Sequence, residues 1–396
     1  MKLLCISPFN SDDSTVINRT LPLLQKLTEN GYEVDVVFPS QGTDGFYKRF
    51  DRLNHIFLNS PGKNRSSHFF DSVRISFRFL AHPSVGRIFY PLGGIDDLAL
   101  TFSSVKKIPD RGYDGIYISK PWLRTTGLGT RLAKRWRIPL ILDLDDYDIW
   151  EGSFLLKNFQ GIVVASRELE NLFKNFNSIY IPNSTNLTVF NPSNYPPRND
   201  RRCVIVWSGI MYESLRLEML LDAFKIMREE ANFMFLGKGG SRQKLISYSK
   251  TLGLEERLMF QQWGDKEAVP RYLSKANIGV IHVSDNLYER CKCPGKLFEY
   301  MAMELPIVAS NIGEPAHVVS RAKCGILVSP DNPSAMAGAL DFLAQNPEER
   351  HRMGKNGREY LLKNQNFNIL GSKLLGFVDS LLNNQGEMAT AQKSVS

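Results

Sequence analysis

The sequence predicts an α/β protein made of two Rossmann-like, doubly wound domains, and three observations carry that expectation. A chain of 396 residues is longer than one ordinary core encloses. Short apolar runs alternate with amphipathic stretches in both halves, the rhythm of strand, helix and strand in a parallel sheet. Several of those runs end on glycine or on acidic residues, at the place where open α/β sheets meet their ligands.

Residues 2–8 read as a first strand, the run with Leu21, Leu23, Leu24 and Leu27 as a helix, and 32–38 as a second strand. From 45 to 100 bases interleave with aromatics, among them Arg65, Phe69, Phe70, Arg74, Phe77, Arg78, Arg87 and Phe89. Such a stretch either lies on an anionic bilayer or turns its rings to the core and its arginines to solvent. Residues 113–119 form a strand and 127–136 a helix. Gly127 and Gly129 lack the third glycine of a dinucleotide loop. The strand 138–144 runs into four carboxylates, Asp143, Asp145, Asp146 and Asp148. These either cap a helix and meet solvent, or bind the hydroxyls of a sugar or acceptor. A strand at 161–166, a helix at 167–173 and a turn holding Asn183 complete this half. A Pro-, Asn- and Arg-rich linker follows.

The second half repeats the pattern. A strand at 203–209 ends on Gly209, a helix spans 215–227 with Arg216 near its start, and a strand at 233–237 ends on Gly237. Residues 259–264 form a strand reaching Trp263 and Gly264, with the next helix at 267–273. Residues 278–283 form a strand and 284–290 a polar loop. A helix then opens at Cys293, Pro294, Gly295, Lys296, Leu297 and ends before Pro306, with Pro294 in its first turn. The amino end of that helix points unpaired N–H groups and a positive dipole into the loop, which suits an anion. Lys296 adds a full charge there. Glu299, one turn deeper, can accept two hydrogen bonds from vicinal hydroxyls, so the pair suits a nucleoside diphosphate. The plainer alternative is an exposed i,i+3 ion pair.

Composition narrows the function classes. The net charge of +8 favours an anionic partner without choosing among nucleic acid, membrane and phosphorylated substrates. Because the Lys and Arg residues are dispersed and no nucleic-acid motif occurs, nucleic acid is not expected. The five cysteines are few and odd in number, which points to a reduced, cytoplasmic setting. Cys291 and Cys293 stand too close for a metal knuckle, so no metal is expected. No apolar run reaches the roughly 18 residues of a membrane span, and the first residues read as a strand rather than a signal peptide.

The segment Pro294-Gly295-Lys296-Leu297-Phe298-Glu299-Tyr300-Met301-Ala302, a strand soon after, then Gly313-Glu314-Pro315, resembles the donor-binding segment of retaining glycosyltransferases of the GT-B fold, most of all bacterial family 4. The resemblance implies two domains facing a central cleft. An N-terminal acceptor domain would span 1–190, a linker 191–202 and a C-terminal nucleotide-sugar domain 203–365. A helix at 366–385 would cross back, and 386–396 would be a disordered tail. The implied reaction moves a sugar from a nucleoside-diphosphate donor to a hydroxyl acceptor with retention, in bacterial polysaccharide or glycolipid synthesis. It would use no cofactor beyond the donor and act on a carbohydrate or lipid-linked acceptor. The setting would be cytoplasmic, with residues 65–89 touching the inner face of the plasma membrane.

Lys296, Glu299, Asp145 and Asp146 are the candidate catalytic residues. Gly209, Arg216, Gly237, Trp263, Gly264, Cys293, Pro294, Gly295 and Leu297 join Lys296 and Glu299 as donor-binding candidates. The chain departs from the family in four places: Ser11 to Thr15 replace a glycine pair, no His follows the 138–144 strand, Arg216 is off the spacing of the Arg or Lys pair that usually follows the glycine at 209 and grips the diphosphate, and Cys291 stands where the first of two glutamates is usual. Glu289, on the loop, is the nearest carboxylate. Competing readings are a nucleotide-sugar epimerase on the same fold and a non-catalytic basic binding protein.

Overall fold

Strands that are apolar on both faces must be covered on both sides, and this chain arranges them in two all-parallel sheets. The computed structural model describes residues 1–9, 11, 15–39, 41, 46–58, 108–149, 151–196, 202–262 and 268–393. One compact unit comprises Met1–Ala165, Leu169–Ile181 and Leu370–Ser396, and the other Ser166–Glu168 and Pro182–Ile369. The chain thus changes unit at Pro182, earlier than the linker expected at 191–202. The membrane-facing stretch expected at 65–89 lies outside the described residues.

In the first unit the order of elements is β1 (Lys2–Ile6), α1 (Leu21–Glu29), β2 (Glu33–Phe38), β3 (Asn54–Phe57), β4 (Gly115–Ser119), α2 (Leu123–Trp136), β5 (Leu140–Leu144), β6 (Gly161–Val164), α3 (Arg167–Leu172) and β7 (Ser178–Tyr180). Its seven strands run in the order β3-β2-β1-β4-β5-β6-β7. Cys5 of β1 lies opposite Val36 of β2 on one side and Tyr117 of β4 on the other. The order reverses between β1 and β4, so the chain leaves these two strands in opposite directions and opens a crevice at their carboxyl ends. Ser7 and Lys120 stand there.

The second unit contains β8 (Cys203–Ser208), α4 (Glu218–Ile226), β9 (Ala231–Leu236), α5 (Arg242–Thr251), β10 (Leu258–Gln261), α6 (Val269–Leu273), β11 (Ile278–Ile281), α7 (Leu287–Arg290), α8 (Gly295–Ala302), β12 (Ile307–Ser310), α9 (Gly313–Ala322), β13 (Gly325–Val328), α10 (Pro333–Gln345) and α11 (Pro347–Asn364). Its six strands run β10-β9-β8-β11-β12-β13. Trp207, Phe224, Phe233, Phe235, Ile278 and Leu340 belong to one buried cluster around β8 and β9. Here the switch point falls between β8 and β11, so Gly209 and His282 mark the crevice.

The last helix, α12 (Phe367–Lys393), packs into the first unit. Leu370, Leu374, Phe377, Val378 and Leu381 are buried at helical spacing. Gly161 makes room for it, since a Cβ there would lie 2.5 Å from the Leu381 side chain. The Tyr32 hydroxyl donates to Asp379. The sequence reading expects a disordered tail from 386, but the backbone is helical to Lys393. Ala389, Ala391, Met388, Glu387 and Lys393 are good helix formers, which favours continuing the helix once its earlier turns are packed.

Candidate functional site

In the second unit the helix α8 begins at Gly295. Pro294 is its N-cap in extended conformation, φ −70° and ψ 123°, one position outside the first turn where the sequence places it. Its carbonyl still accepts from the Leu297 N–H at 3.1 Å. The segment before it is tied down by three bonds. The Ser166 hydroxyl donates to the Cys291 carbonyl at 2.7 Å, Asn183 Nδ2 donates to the Cys293 carbonyl at 2.5 Å, and the Asn183 N–H donates to Cys293 Sγ at 3.3 Å. Asn183 is therefore more than a turn former, because it anchors the entry to α8. The Leu297 side chain is fully buried, which leaves only its backbone for a ligand.

Lys296 does not form the exposed pair of the plainer alternative. Its Nζ stands 3.7 Å from the centre of the Trp207 ring. A Cβ on Gly209, which has φ +146°, would come within 2.9 Å of that Nζ. Glycine at 209 therefore admits the ammonium to the end of β8. Lys296 forms no ion pair among the described residues. Burial of the ammonium lowers its pKa to about 7, against the opposing pull of Glu299. Glu299 is buried on the same helix. An incompletely compensated cation at a helix amino end, beside a glycine at a switch point, is an anion-binding arrangement.

The surrounding frame is rigid. The hydroxyl of buried Tyr300 accepts from the Ser208 N–H at 2.8 Å and lies 3.1 Å from its Oγ, fixing α8 against the end of β8. Gly313, at φ +64°, opens α9, and a Cβ there would lie 2.9 Å from the Arg290 carbonyl oxygen. Glu314 is fully buried, and its Oε2 accepts from the Arg167 N–H at 2.8 Å. Glu289 is not on a flexible loop. It sits on the single-turn helix α7, capped by Asn286, is 5% exposed, and accepts from Lys292 Nζ at 2.5 Å. The four residues Leu287–Arg290 suffice for one capped turn, and burial of the Glu289 carboxylate against a lysine holds that turn in place.

Arg216 stands in left-handed backbone at φ +47°, with its Nη1 3.5 Å from Asp331. Gly237 follows β9, with its N–H donating to the Gln261 carbonyl at 2.8 Å. Trp263 and Gly264 lie outside the described residues.

In the first unit Asp145 and Asp146 are neither helix caps nor free acceptors. Buried Lys120 places its Nζ 2.5 Å from Asp145, 2.7 Å from Asp146 and 2.7 Å from Asp148. Burial alone would lower the pKa of Lys120, but the three carboxylates outweigh it and hold the ammonium well above its usual value. Asp145 shifts the other way. Burial raises its pKa to about 7, Lys120 opposes that, and Asp146 and Asp148 reinforce it. Asp143 is engaged separately, in a buried ion pair with Arg19 at 2.6 Å, while Arg19 Nη1 donates to the Ile181 carbonyl at 2.9 Å. Arg19 comes from a π-helical turn, Val16–Thr20, a distortion that often accompanies functional sites.

Sequence reasoning missed Lys120, Arg19, Trp207 and His282. The signal for Lys120 and His282 was available, since each polar residue directly follows an apolar strand of a doubly wound unit. For Arg19 and Trp207 only the tertiary contacts reveal the role.

The two parallel sheets, each with its crevice at a switch point, define the GT-B class of glycosyltransferase folds. Residues 194–360, the greater part of the second unit, match the family described as glycosyl transferases group 1. The chain is 24% identical over 180 residues to the alpha-D-kanosaminyltransferase of Streptomyces kanamyceticus, a match spanning 45% of each protein. It therefore covers less than half of that relative. A glycosyltransferase structure from Rickettsia africae aligns over 97% of this chain and 99% of its own, with 16% identity and a TM-score of 0.69. The structure of HepE from Anabaena in complex with UDP and glucose aligns over 96% of this chain and 100% of its own, with 14% identity and a TM-score of 0.71. Among the described residues no helix is long and apolar enough to cross a membrane.

Proposed function

We propose that this chain transfers a sugar from a nucleoside-diphosphate donor to a hydroxyl acceptor, with retention at the anomeric carbon, in the assembly of a polysaccharide or glycolipid. The carrying observation is Lys296, an ammonium without an ion-pair partner among the described residues, seated against Trp207 and Gly209 at the amino end of α8. As the bond from sugar to diphosphate breaks, negative charge grows on the departing phosphate oxygens. A fixed ammonium and the aligned N–H groups of a helix start stabilise that charge without reorganising, which is where such sites gain most of their rate. Glu299 accepts the ribose hydroxyls one turn deeper. The likeness to group 1 supports retention, and the neighbour solved with UDP favours a uridine-type donor.

On the acceptor side Asp146 is the accessible carboxylate of the Lys120 network, with 30% of its side chain exposed against 12% for Asp145 and 3% for Asp148. Under this reading Lys120 fixes Asp146 to receive an acceptor hydroxyl. The acceptor is a carbohydrate or a lipid-linked sugar, and residues 65–89 meet the membrane surface that would carry the latter.

The test has two stages. Melting in the presence of uridine, guanosine, adenosine and thymidine diphosphates and their sugars identifies the donor, because a ligand bound only by the native state raises Tm. Lys296→Ala then lowers turnover on that donor by roughly 100-fold or more, the scale seen when one charge-stabilising donor is lost. Equal turnover removes the proposed role, and isomerised donor formed without acceptor assigns the chain to the epimerases.

A further inference from the structure

Arg216 and Asp331 form a contact that the donor-site reading does not use. Asp331 Oδ1 lies 3.5 Å from Arg216 Nη1 and 3.5 Å from His282 Nε2. His282, 5% exposed, follows β11 at the switch point. Its ring is held by hydroxyls on both sides, with Ser284 Oγ 3.4 Å from Nε2 and Ser310 Oγ 3.4 Å from Nδ1. Asp331 therefore faces a fixed ring on one side and a guanidinium, whose side chain is 68% exposed, on the other.

Both ends of the contact stand on unusual backbone, Arg216 at φ +47° and Asp331 at φ +50°. Non-glycine residues persist there only when their surroundings hold them. The contact also reaches the anion site, because His282 follows β11, the neighbour of β8, and Gly209 at the end of β8 stands against Lys296 Nζ. Burial pushes the pKa of His282 down to about 4, Asp331 opposes this, and Arg216 and Lys296 both lower it further. Two cations and one carboxylate thus act on one neutral imidazole. Lys296 is open, whereas Arg216 already holds a carboxylate.

We propose that Asp331 is a placeholder for the anionic group of the donor, occupying Arg216 at the α8 site until a diphosphate takes its place. The inference rests on the donor-site reading given above. An exposed pair at 3.5 Å is weak, so a phosphate exchanges for it readily. Its remaining effect on a bound diphosphate is repulsion from the carboxylate, which makes Asp331 a filter against weakly charged anions. Asp331 is a positioning residue under this proposal, acting on the ligand through Arg216.

The test is calorimetric titration of the full chain with inorganic pyrophosphate and with UDP, for the wild type, Asp331→Asn, Arg216→Asn and the double variant. Asparagine accepts left-handed backbone, so both substitutions keep the local conformation, and melting curves check this. Asp331→Asn is expected to tighten both ligands roughly three- to fivefold at low salt, with the gain fading at high salt. Arg216→Asn weakens both and abolishes the gain in the double variant. Unchanged or weaker binding by Asp331→Asn, or a gain that survives without Arg216, overturns the placeholder alone. A wild type that binds neither probe overturns the donor-site reading and the placeholder with it.

Discussion

Lys296 shows what a buried ammonium costs the fold. Its pKa of about 7 lies far below that of a lysine in an unfolded chain, near 10.4. The unfolded state therefore binds more protons between those values, and the penalty is fully present at pH 7 and below and disappears as pH rises toward 10.4. Removing the charge relieves it. Lys296→Met is expected to gain about 1–2 kcal/mol at pH 7, allowing for the partial exposure of the side chain, or roughly 3–6 °C in Tm. Melting at pH 7 and at pH 10 checks the sign, since the gain must shrink at the higher pH while activity is lost at both. Its type and place at the start of a helix were legible in the sequence. Its neighbours were not, because Trp207 and Gly209 lie on another strand and nothing in the local pattern announces them. Asp145 and Asp146 teach the same lesson. Their position at a strand end was legible, but the ammonium that holds them comes from Lys120, one strand away in the sheet.

At the scale of elements, two glycines separate local freedom from tertiary constraint. Gly313 opens α9 at φ +64°, and a methyl group there would meet the Arg290 carbonyl oxygen at 2.9 Å. Gly338 lies exposed within α10 with nothing within 4 Å of an added Cβ. Gly313→Ala is expected to lower stability by about 1–3 kcal/mol, through strain and the clash with the end of α7. Gly338→Ala is expected to raise it by up to about 1 kcal/mol, because alanine is the better helix former. Urea titrations of both variants measure the opposite shifts in midpoint. A result of one sign for both would mean that contact with α7 does not constrain α9. Most elements were legible from periodicity, including β8 to β12 in order, whereas the four-residue strand β13 was not. The one-turn helix α7 was not, since four residues give no period and its stability comes from the Asn286 cap and the buried Glu289 carboxylate.

For the whole molecule, α12 closes the first unit with residues from the far end of the chain. Leu370, Leu374, Phe377, Val378 and Leu381 bury their side chains there. At about 1.5–3 kcal/mol for each buried large apolar side chain, their sum matches or exceeds the margin by which an ordinary domain is stable. A chain ending at Ile369 is therefore expected to keep the cooperative melting of the second unit and to lose that of the first, as two calorimetric transitions against one would show. Retention of both transitions would mean that the first sheet is stable without its final helix.

The sequence by itself determined the two doubly wound domains, the alternation of strand and helix along most of the chain and the helix that carries Lys296 and Glu299, because backbone periodicity and turn chemistry are local properties. Only the tertiary structure decided which charges are neutralised and which remain open. Lys120 among three aspartates, Arg19 against Asp143 and Asp331 between Arg216 and His282 pair residues far apart in the chain. Coulomb forces depend on distance in space and on burial, and neither can be read until the strands have chosen their neighbours.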